Sequence, residues 1–248
     1  MIRPEITSLY KYRAFNEHSL QSLINEVAWF SKPSSFNDPF DCGINIDTNR
    51  IEESIREAVK ELYSKAGKDI ASIPENEFKV TENDKKAFES LKSSLLKLTQ
   101  NVGILSLSSV NDDILMWGHY ADSHNGFCVE YSRTSDNILG KQSEPVNYED
   151  QFPSLSAQEV TSHGAAFKKL LLTKSTHWSY EKEWRIIEAT GDKAFQFPCD
   201  IKSVIFGLKM NTQNRYTIRR ILEGRNVVFK EATKDSFKFS LCINNEMV

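Results

Sequence analysis

The sequence lacks the short motifs that mark the commonest cofactor sites. Its ten glycines are scattered along 248 residues, so no glycine-rich loop of the P-loop or Rossmann type is present. The four cysteines form no C-x-x-C pair, which excludes the usual zinc and thiol-exchange motifs and predicts reduced, buried thiols. There is no H-E-x-x-H motif, and His119 and His124 are poorly spaced to share a metal. We therefore expect no metal site.

Long apolar runs and a strong net charge are also missing. No run approaches the length of a membrane span, and the first residues contain no apolar signal core. The formal charge is −3, so no overall positive field indicates nucleic-acid or anionic-membrane binding, although a local basic patch is compatible with it. These features predict a cytoplasmic protein that makes no membrane contact.

The composition and the pattern of apolar residues predict one α+β domain over residues 1–248. Short strands and amphipathic helices alternate irregularly, which favours a mixed, mostly antiparallel sheet over a doubly wound one. Strands are predicted at about 9–13, 27–31, 103–108, 126–131, 183–188, 201–207, 227–230 and 237–241. Helices are predicted at about 17–27, 51–66, 84–100, 113–121, 158–173 and 211–223. The helical block at about 50–100 carries no chemistry-bearing motif and is predicted to be an insertion or cap.

Aromatic and titratable residues are concentrated in two tracts, Met116–Tyr131 and Trp178–Arg185, which contain three of the four tryptophans. Large rings beside titratable groups suit a site that stacks on a planar ligand and moves charge. In the first tract, Trp117, His119 and Tyr120 fall late in a predicted helix. They form either an aromatic wall with a polar edge or a core pair of rings beside a hydrogen-bonded histidine.

Charged candidates lie in the second tract and near the start of the chain. Glu181 and Glu183 are two residues apart and share one face of an extended strand, where a carboxylate can stabilise a cationic transition state. The alternative is an ordinary ion pair with Lys182 or Arg185. Arg13 ends the first predicted strand, where its guanidinium either binds a phosphate or serves as a surface cation.

A shaped loop is predicted at residues 32–41, because two prolines and an Asn-Asp pair disfavour regular structure. Phe36, Asn37 and Asp38 are candidates to bind a ligand, and the alternative for Asn37 is loop shaping by Asx hydrogen bonds. We expect this loop, Arg13 and the two tracts to form the walls of one cleft.

Five ordered motifs resemble those of a bacterial protein family, the domain of unknown function 2971. The motifs are LYKYR at 9–13, FSKPSSFNDPFD at 30–41, MWGHYA at 116–121, HNGFC at 124–128 and EKEWR at 181–185. The resemblance runs from about residue 8 to 230 and is weakest over the helical block. The family has no assigned activity, so membership implies none.

At the level of fold, the chain also resembles ADP-ribosyltransferases, which use NAD without a Rossmann fold. The shared order is an N-terminal strand ending in arginine, a central aromatic-hydroxyl segment and a late strand bearing glutamate. The resemblance implies that Arg13 holds a phosphate of NAD and that Tyr120 or Trp117 stacks on nicotinamide. It implies that Glu183 binds the ribose and stabilises an oxocarbenium-like transition state. Ser175-Thr176 departs from the Ser-Thr-Ser element of arginine-directed members.

The leading hypothesis is a bacterial enzyme that transfers ADP-ribose from NAD, its substrate, to a nucleic acid or protein. It is expected to act as a toxin or anti-phage effector, with an antitoxin or chaperone as a partner. Two alternatives stay open: a nucleotide or phosphoester hydrolase using His119, His124, Asp38 and Asp41, or a non-enzymatic nucleotide-binding sensor. The implied catalytic residues are Glu183, His119 and Tyr120, and the implied NAD-binding residues are Arg13, Tyr12, Phe36, Asn37, Asp38 and Trp117.

Overall fold

Segments that are far apart in the sequence combine into two structural units. The structure, a computed structural model, describes residues 1–43, 48–74, 77, 79, 81–155, 163–197 and 199–245. Unit 1 comprises Met1–Lys32, Val102–Val146 and His177–Val248, and unit 2 comprises Pro33–Asn101 and Asn147–Thr176.

Strands and helices alternate irregularly along the chain. The strands are β1 (Ser8–Arg13), β2 (Val27–Phe30), β3 (Gly103–Ser108), β4 (Phe127–Ser132), β5 (Glu144–Pro145), β6 (Asn147–Glu149), β7 (Thr173–Ser175), β8 (Glu183–Glu188), β9 (Lys193–Gln196), β10 (Ile201–Phe206), β11 (Val228–Lys234) and β12 (Leu241–Asn245). The helices are α1 (Glu17–Asn25), α2 (Thr48–Lys65), α3 (Glu82–Thr99), α4 (Ile114–Tyr120), α5 (Ile138–Gln142), α6 (His163–Leu171) and α7 (Thr212–Ile221).

Unit 1 is built on an eight-stranded sheet with the order β12-β11-β10-β4-β1-β3-β8-β5. Its neighbouring strands are antiparallel except for the parallel pair β10 and β11. The expected mixed, mostly antiparallel α+β architecture is therefore confirmed. Among the described residues, no helix is long and apolar enough to cross a membrane.

The side-chain alternation of β1 and β4 separates two faces of this sheet. The two strands pair over their full length, from Ser8 opposite Ser132 to Arg13 opposite Phe127. Residues Leu9, Phe127, Val129 and Tyr131 pack into one buried cluster, which we call the first face, and Tyr12 and Cys128 pack into another, on the second face. Because partners opposite each other point to the same side, the register assigns the paired residues of the sheet to a face.

Strands β1 and β3 diverge along most of their length, a feature that we call the parting of the sheet. These strands pair only at Tyr10 and Ser108, whereas β3 and β8 pair over six residues. Beyond the parting, Ile104 of β3 forms a bridge with Ser31, which follows β2, and β2 pairs with β9 in a separate two-stranded sheet. Lys11, Tyr12 and Arg13 of β1 therefore have no residue of β3 paired opposite them.

Unit 2 contains α2, α3, α6 and the parallel pair β6 and β7. Leu95 of α3 packs on Ala166 and Leu170 of α6 in a small buried cluster. The predicted insertion at about 50–100 falls within this unit, which also includes the loop before it and residues 147–176. Division into one domain or more stays a prediction.

The predicted strand near the C-terminal end was wrong, and a strand near residue 195 was not predicted. The strand expected at 237–241 begins only at Leu241, because Asp235 accepts hydrogen bonds from the backbone N–H groups of Phe237 and Lys238. These two hydrogen bonds therefore hold the segment in a loop instead of a strand. Strand β9 was not predicted, since Lys193–Gln196 is too polar and too short to show a clear alternation.

Gly126 connects the loop after α4 to β4 at a point where backbone approaches backbone. A Cβ atom added there would lie 2.1 Å from the carbonyl oxygen of Arg13 and 2.9 Å from that of Ala121. Gly118, inside α4, has no atom within 4 Å of its added Cβ. Close backbone approach thus occurs at Gly126 and not at Gly118.

We predict opposite effects of alanine at these two positions. Gly126→Ala should lower the free energy of unfolding by about 1–3 kcal/mol, because rigid backbone atoms must move. Gly118→Ala should raise it by about 0.5–1 kcal/mol through helix propensity. Urea denaturation followed by circular dichroism measures both, and equal effects would contradict the geometry.

Candidate functional site

The two tracts meet through a hydrogen bond between Tyr120 and Glu181. Helix α4 begins after Asp113, whose carboxylate accepts from the N–H groups of Leu115 and Met116, and it carries Tyr120 at its last position. The Tyr120 hydroxyl donates to Oε1 of buried Glu181 at 2.5 Å. A phenol and a carboxylate at this distance can pass or share a proton.

Partly exposed rings lie beside this pair. Tyr120 is 6.3 Å from the ring of His119, His119 is 6.3 Å from Tyr180, and Tyr180 is 6.1 Å from Trp178, all measured between centroids. Unlike core aromatics, none of these four side chains is buried. We call them the ring series. Tyr120 contacts the Glu181 carboxylate directly, and partly exposed rings beside a carboxylate suit a planar ligand.

Glu183 is fixed by a bidentate ion pair with Arg185 on the same strand. The guanidinium Nε lies 2.8 Å from Oε1 and one terminal nitrogen 3.0 Å from Oε2, and both side chains are buried. The ion pair expected as the alternative interpretation of Glu183 is therefore present. It holds the carboxylate in one orientation rather than leaving it solvated.

A row of polar residues crosses five strands on the second face. The register aligns Ser203 with Glu130, Glu130 with Tyr10, Tyr10 with Ser108, and Ser108 with Glu183. Four of the five are buried, and Tyr10 is partly exposed. Because burying polar side chains without partners is unfavourable, such a row requires internal hydrogen bonds.

Glu130 is the centre of these bonds and was missed by the sequence interpretation. Its oxygens accept from Ser8 at 2.8 Å, Ser203 at 2.5 Å, Lys202 at 2.7 Å and Lys230 at 2.8 Å. Burial alone raises the pKa of Glu130, but these four donors outweigh it and lower the pKa to about 2. The available signal was a glutamate in the middle of the apolar strand Phe127–Ser132.

Lys11, also missed, lies at the parting of the sheet. Its Nζ donates to the carbonyl oxygen of Ser106 at 2.7 Å. Burial, followed by the nearby charge of Arg13, lowers the pKa of Lys11 to about 8, while the charges of Glu183 and Glu181 oppose that shift. The Lys11 ammonium group is therefore close enough to Arg13, Glu181 and Glu183 for their charges to act on its pKa.

Arg13 belongs to the first face, opposite to Tyr10 and Tyr12, because it pairs with Phe127. Its Nε and the hydroxyl of Tyr131 are buried with no hydrogen-bond partner in the described part of the chain. Burial lowers the pKa of Arg13. Tyr131 stacks on Phe197, which lines a cavity of about 610 Å³ in unit 1. Direct convergence of Arg13 with Tyr120 and Glu183 is not observed.

Trp117 and Tyr12 are core residues. The Trp117 side chain has no exposed surface, its Nε1 donates to the carbonyl oxygen of Asn111, and its ring meets Tyr12 edge-on at 5.2 Å. The Tyr12 hydroxyl donates to the carbonyl oxygen of Val110. Neither ring has a face open to a ligand, which corrects the predicted stacking role of Trp117 and the NAD-binding role of Tyr12.

His124 lies in a strained turn that positions β4. Asp122, Ser123 and His124 have φ values of 48°, 52° and 72°, which non-glycine residues seldom adopt in succession. The turn is held because the N–H of His124 donates to the carbonyl oxygen of Trp117, and its imidazole stacks on that ring. Burial, and then the charge of Lys209, lower the pKa of His124. This histidine supports the loop and does not contact the ring series.

The predicted loop residues Phe36, Asn37 and Asp38 belong to unit 2. Asp38 is buried and accepts from the N–H of Phe40 at 2.9 Å, which is the loop-shaping hydrogen bond expected for this segment. Asn37 is exposed, and Phe36 is half-buried. Asp41 pairs with Lys174 at 3.5 Å. No group of three His, Cys, Asp or Glu suited to a metal ion occurs among the described residues.

A family model described as "Protein of unknown function (DUF2971)" matches residues 116–186. The matched segment contains both tracts, including Tyr120, Glu181 and Glu183, and it supports the resemblance drawn from the motifs. A search of curated proteins and a search of solved structures each found no match.

We predict that the Glu130 cluster makes the folding stability depend on pH. The folded pKa of about 2 is below the ordinary value of 4.5, so the stabilisation is complete above pH 4.5 and is lost as the pH falls towards 2. Glu130→Gln should therefore lower the free energy of unfolding by about 3 kcal/mol at pH 7, since two lysines lose their anion. The difference from wild type should shrink in acid.

Glu223→Gln is the matched control, because the Glu223 side chain forms an exposed ion pair with Arg220 and no other ion pair with a described residue. Its effect should stay below about 1 kcal/mol and change little with pH. Denaturant unfolding at pH 7, 5 and 3 measures both variants. If Glu130→Gln lowers the free energy of unfolding by the same amount at all three pH values, the prediction that ionised Glu130 stabilises the fold is wrong.

Proposed function

We propose that the protein is an NAD-dependent ADP-ribosyltransferase that modifies a macromolecule. The observation that carries the proposal is the Tyr120–Glu181 hydrogen bond, which places a partly exposed ring against a buried carboxylate, with Glu183 two residues further along. A site for NAD needs a flat surface for nicotinamide and a fixed negative charge near the ribose, and this segment offers both.

The ring series supports the nicotinamide part of the proposal. Tyr120 and Tyr180 present π-faces beside Glu181, and His119 between them is exposed. A pyridinium ring is planar and cationic, so it gains from stacking on an aromatic face and from the cation–π attraction. The stacking role that the resemblance implies for Tyr120 or Trp117 is assigned to Tyr120, because Trp117 is buried.

The carboxylates support the chemical step. When the bond between nicotinamide and ribose breaks, its electron pair stays on nicotinamide and a positive charge develops on the ribose. Glu183, oriented by Arg185, is a preorganised anion that stabilises this charge. The nucleophile of the acceptor then attacks the ribose carbon. Its proton passes to the Tyr120–Glu181 pair, with His119 beside Tyr120 as a further proton carrier.

Lys11 supports binding of the pyrophosphate. It belongs to β1, on the side where the sheet parts from β3, and the charges of Glu183 and Glu181 act on its pKa. An ammonium group at this edge can hold a phosphate while the ribose lies near Glu183. Arg13, the residue that the resemblance assigns to a phosphate of NAD, belongs to the opposite face of the sheet and is not part of the proposed site.

An enzyme that modifies macromolecules must be restrained in the cell that makes it. We therefore extend the proposal to a role as a toxin or anti-phage effector, with an antitoxin or chaperone partner.

We predict that Glu183→Gln lowers NAD turnover by at least about 100-fold, because the amide keeps the shape but loses the charge. Tyr120→Phe should lower it by about 10-fold or more, since the hydroxyl but not the ring is removed. Nicotinamide release from NAD, with water as the acceptor, is the readout. Glu188→Gln, at the other end of β8, is the control and should keep full activity.

Circular dichroism must first show that each variant is folded. If the Glu183→Gln variant is folded and its NAD turnover is unchanged, Glu183 is not the carboxylate that stabilises the transition state. Glu181→Gln then decides whether the neighbouring carboxylate carries the charge, and full activity in both variants would end the proposal.

A further inference from the structure

The hairpin between β11 and β12 exposes two aromatic rings at its tip. Its loop spans Asp235–Ser240, and the side chains of Phe237 and Phe239 are 95% and 101% exposed. Apolar rings that remain fully in water give no folding stability, so their presence needs another reason.

The loop holds these rings in a defined conformation. The Asp235 carboxylate accepts from the N–H of Phe237 at 2.7 Å and from that of Lys238 at 3.0 Å, and its own N–H donates to Ser240. The flanking strands pair from Lys234 opposite Leu241 onward. A preformed loop loses little conformational entropy when its side chains contact a ligand.

The hairpin carries exposed cations beside its rings. Residues 228–245, which form it, contain three Lys and two Asp or Glu. Lys234 and Lys238 are exposed and form no ion pair with another described residue. Lys238 lies between the two phenylalanines in the sequence.

We propose that this hairpin binds single-stranded nucleic acid. Unpaired bases stack on Phe237 and Phe239, and Lys234 and Lys238 contact the phosphates. The alternation of free π-faces with cations matches a polymer that alternates bases with anions. A duplex binds less well, because its bases are already stacked on each other.

The same stacking and charge contacts suit single-stranded nucleic acid as the acceptor, the macromolecule that the proposed enzyme modifies. As a binding surface the hairpin is independent of the transferase, but as the place that delivers the acceptor it rests on the proposed function. The site and the hairpin belong to the same sheet of unit 1. A protein partner would use the rings equally well, yet the exposed lysines Lys234 and Lys238 beside them favour a polyanion.

The binding experiment uses the full chain without NAD and a fluorescein-labelled 16-nucleotide mixed-sequence strand, as DNA and as RNA, in fluorescence anisotropy. Phe237→Ala and Phe239→Ala should each weaken binding about 10-fold. Lys234→Gln and Lys238→Gln should each reduce the slope of log affinity against log salt by about 0.7. The matched controls are Trp29→Ala, an exposed ring outside the hairpin, and Lys141→Gln, an exposed lysine on α5. Neither control should change affinity.

Three results would overturn the proposal. The first is no binding at micromolar protein and 50 mM salt. The second is binding to duplex and heparin as tight as to single strands, with no effect of either phenylalanine variant. The third is a loss of self-association, seen by light scattering, as the only effect of Phe237→Ala.

The acceptor assignment is tested separately with labelled NAD and the same strands. Transfer of label to the strand by wild type, lost in Phe237→Ala while NAD hydrolysis to nicotinamide persists, is the expected result. Binding without transfer, in a protein that still hydrolyses NAD, overturns the acceptor class alone. Wild type that does not hydrolyse NAD at all contradicts the proposed function and leaves the binding surface to stand on the anisotropy.

Discussion

The pairing of β1 governs the arrangement of unit 1. This strand is bonded to β4 along its whole length but to β3 at one pair only, Tyr10 and Ser108. The single contact is enough to align the polar row from Ser203 to Glu183 on one face. It also leaves the remainder of the edge of β1 open, and Lys11 spans that opening to the Ser106 carbonyl oxygen. The parting thus places the charged group of Lys11 between two strands of the sheet.

Glu130, Glu181 and Glu183 are all buried, but they have different partners and therefore different capacities for chemistry. Glu130 is saturated by two lysines and two serines, so its bonds serve folding. Glu183 is held by Arg185, which preserves its charge and fixes its direction. Glu181 accepts from a phenol that stays partly exposed. A proton can therefore leave or enter at Glu181, while a static charge is best supplied by Glu183.

The sequence predicted the elements whose pattern is local, and failed where long-range contacts decide. The strands 103–108 and 183–188 were predicted with their observed bounds. The alternation at 237–241 was misleading, since one aspartate side chain diverts two N–H groups into a loop. Trp117 and Tyr120 are three residues apart in one helix, yet only the sheet packed beneath them decides that the first is buried and the second is accessible. Glu130 became notable only when Ser8, 122 residues away, and Ser203, 73 residues away, were found to donate to it.

The charges of unit 1 are compatible with the nucleic-acid acceptor that we propose. Carboxylates repel phosphates, so a nucleic acid approaches Glu181 and Glu183 only if nearby cations reduce that repulsion. Arg185 pairs with Glu183 and fixes its direction, both carboxylates act on the pKa of Lys11, and two lysines pair with Glu130. The carboxylates required for the proposed cationic transition state and the cations required for the proposed ligand can therefore belong to one unit, because each of these buried anions already has a partner there.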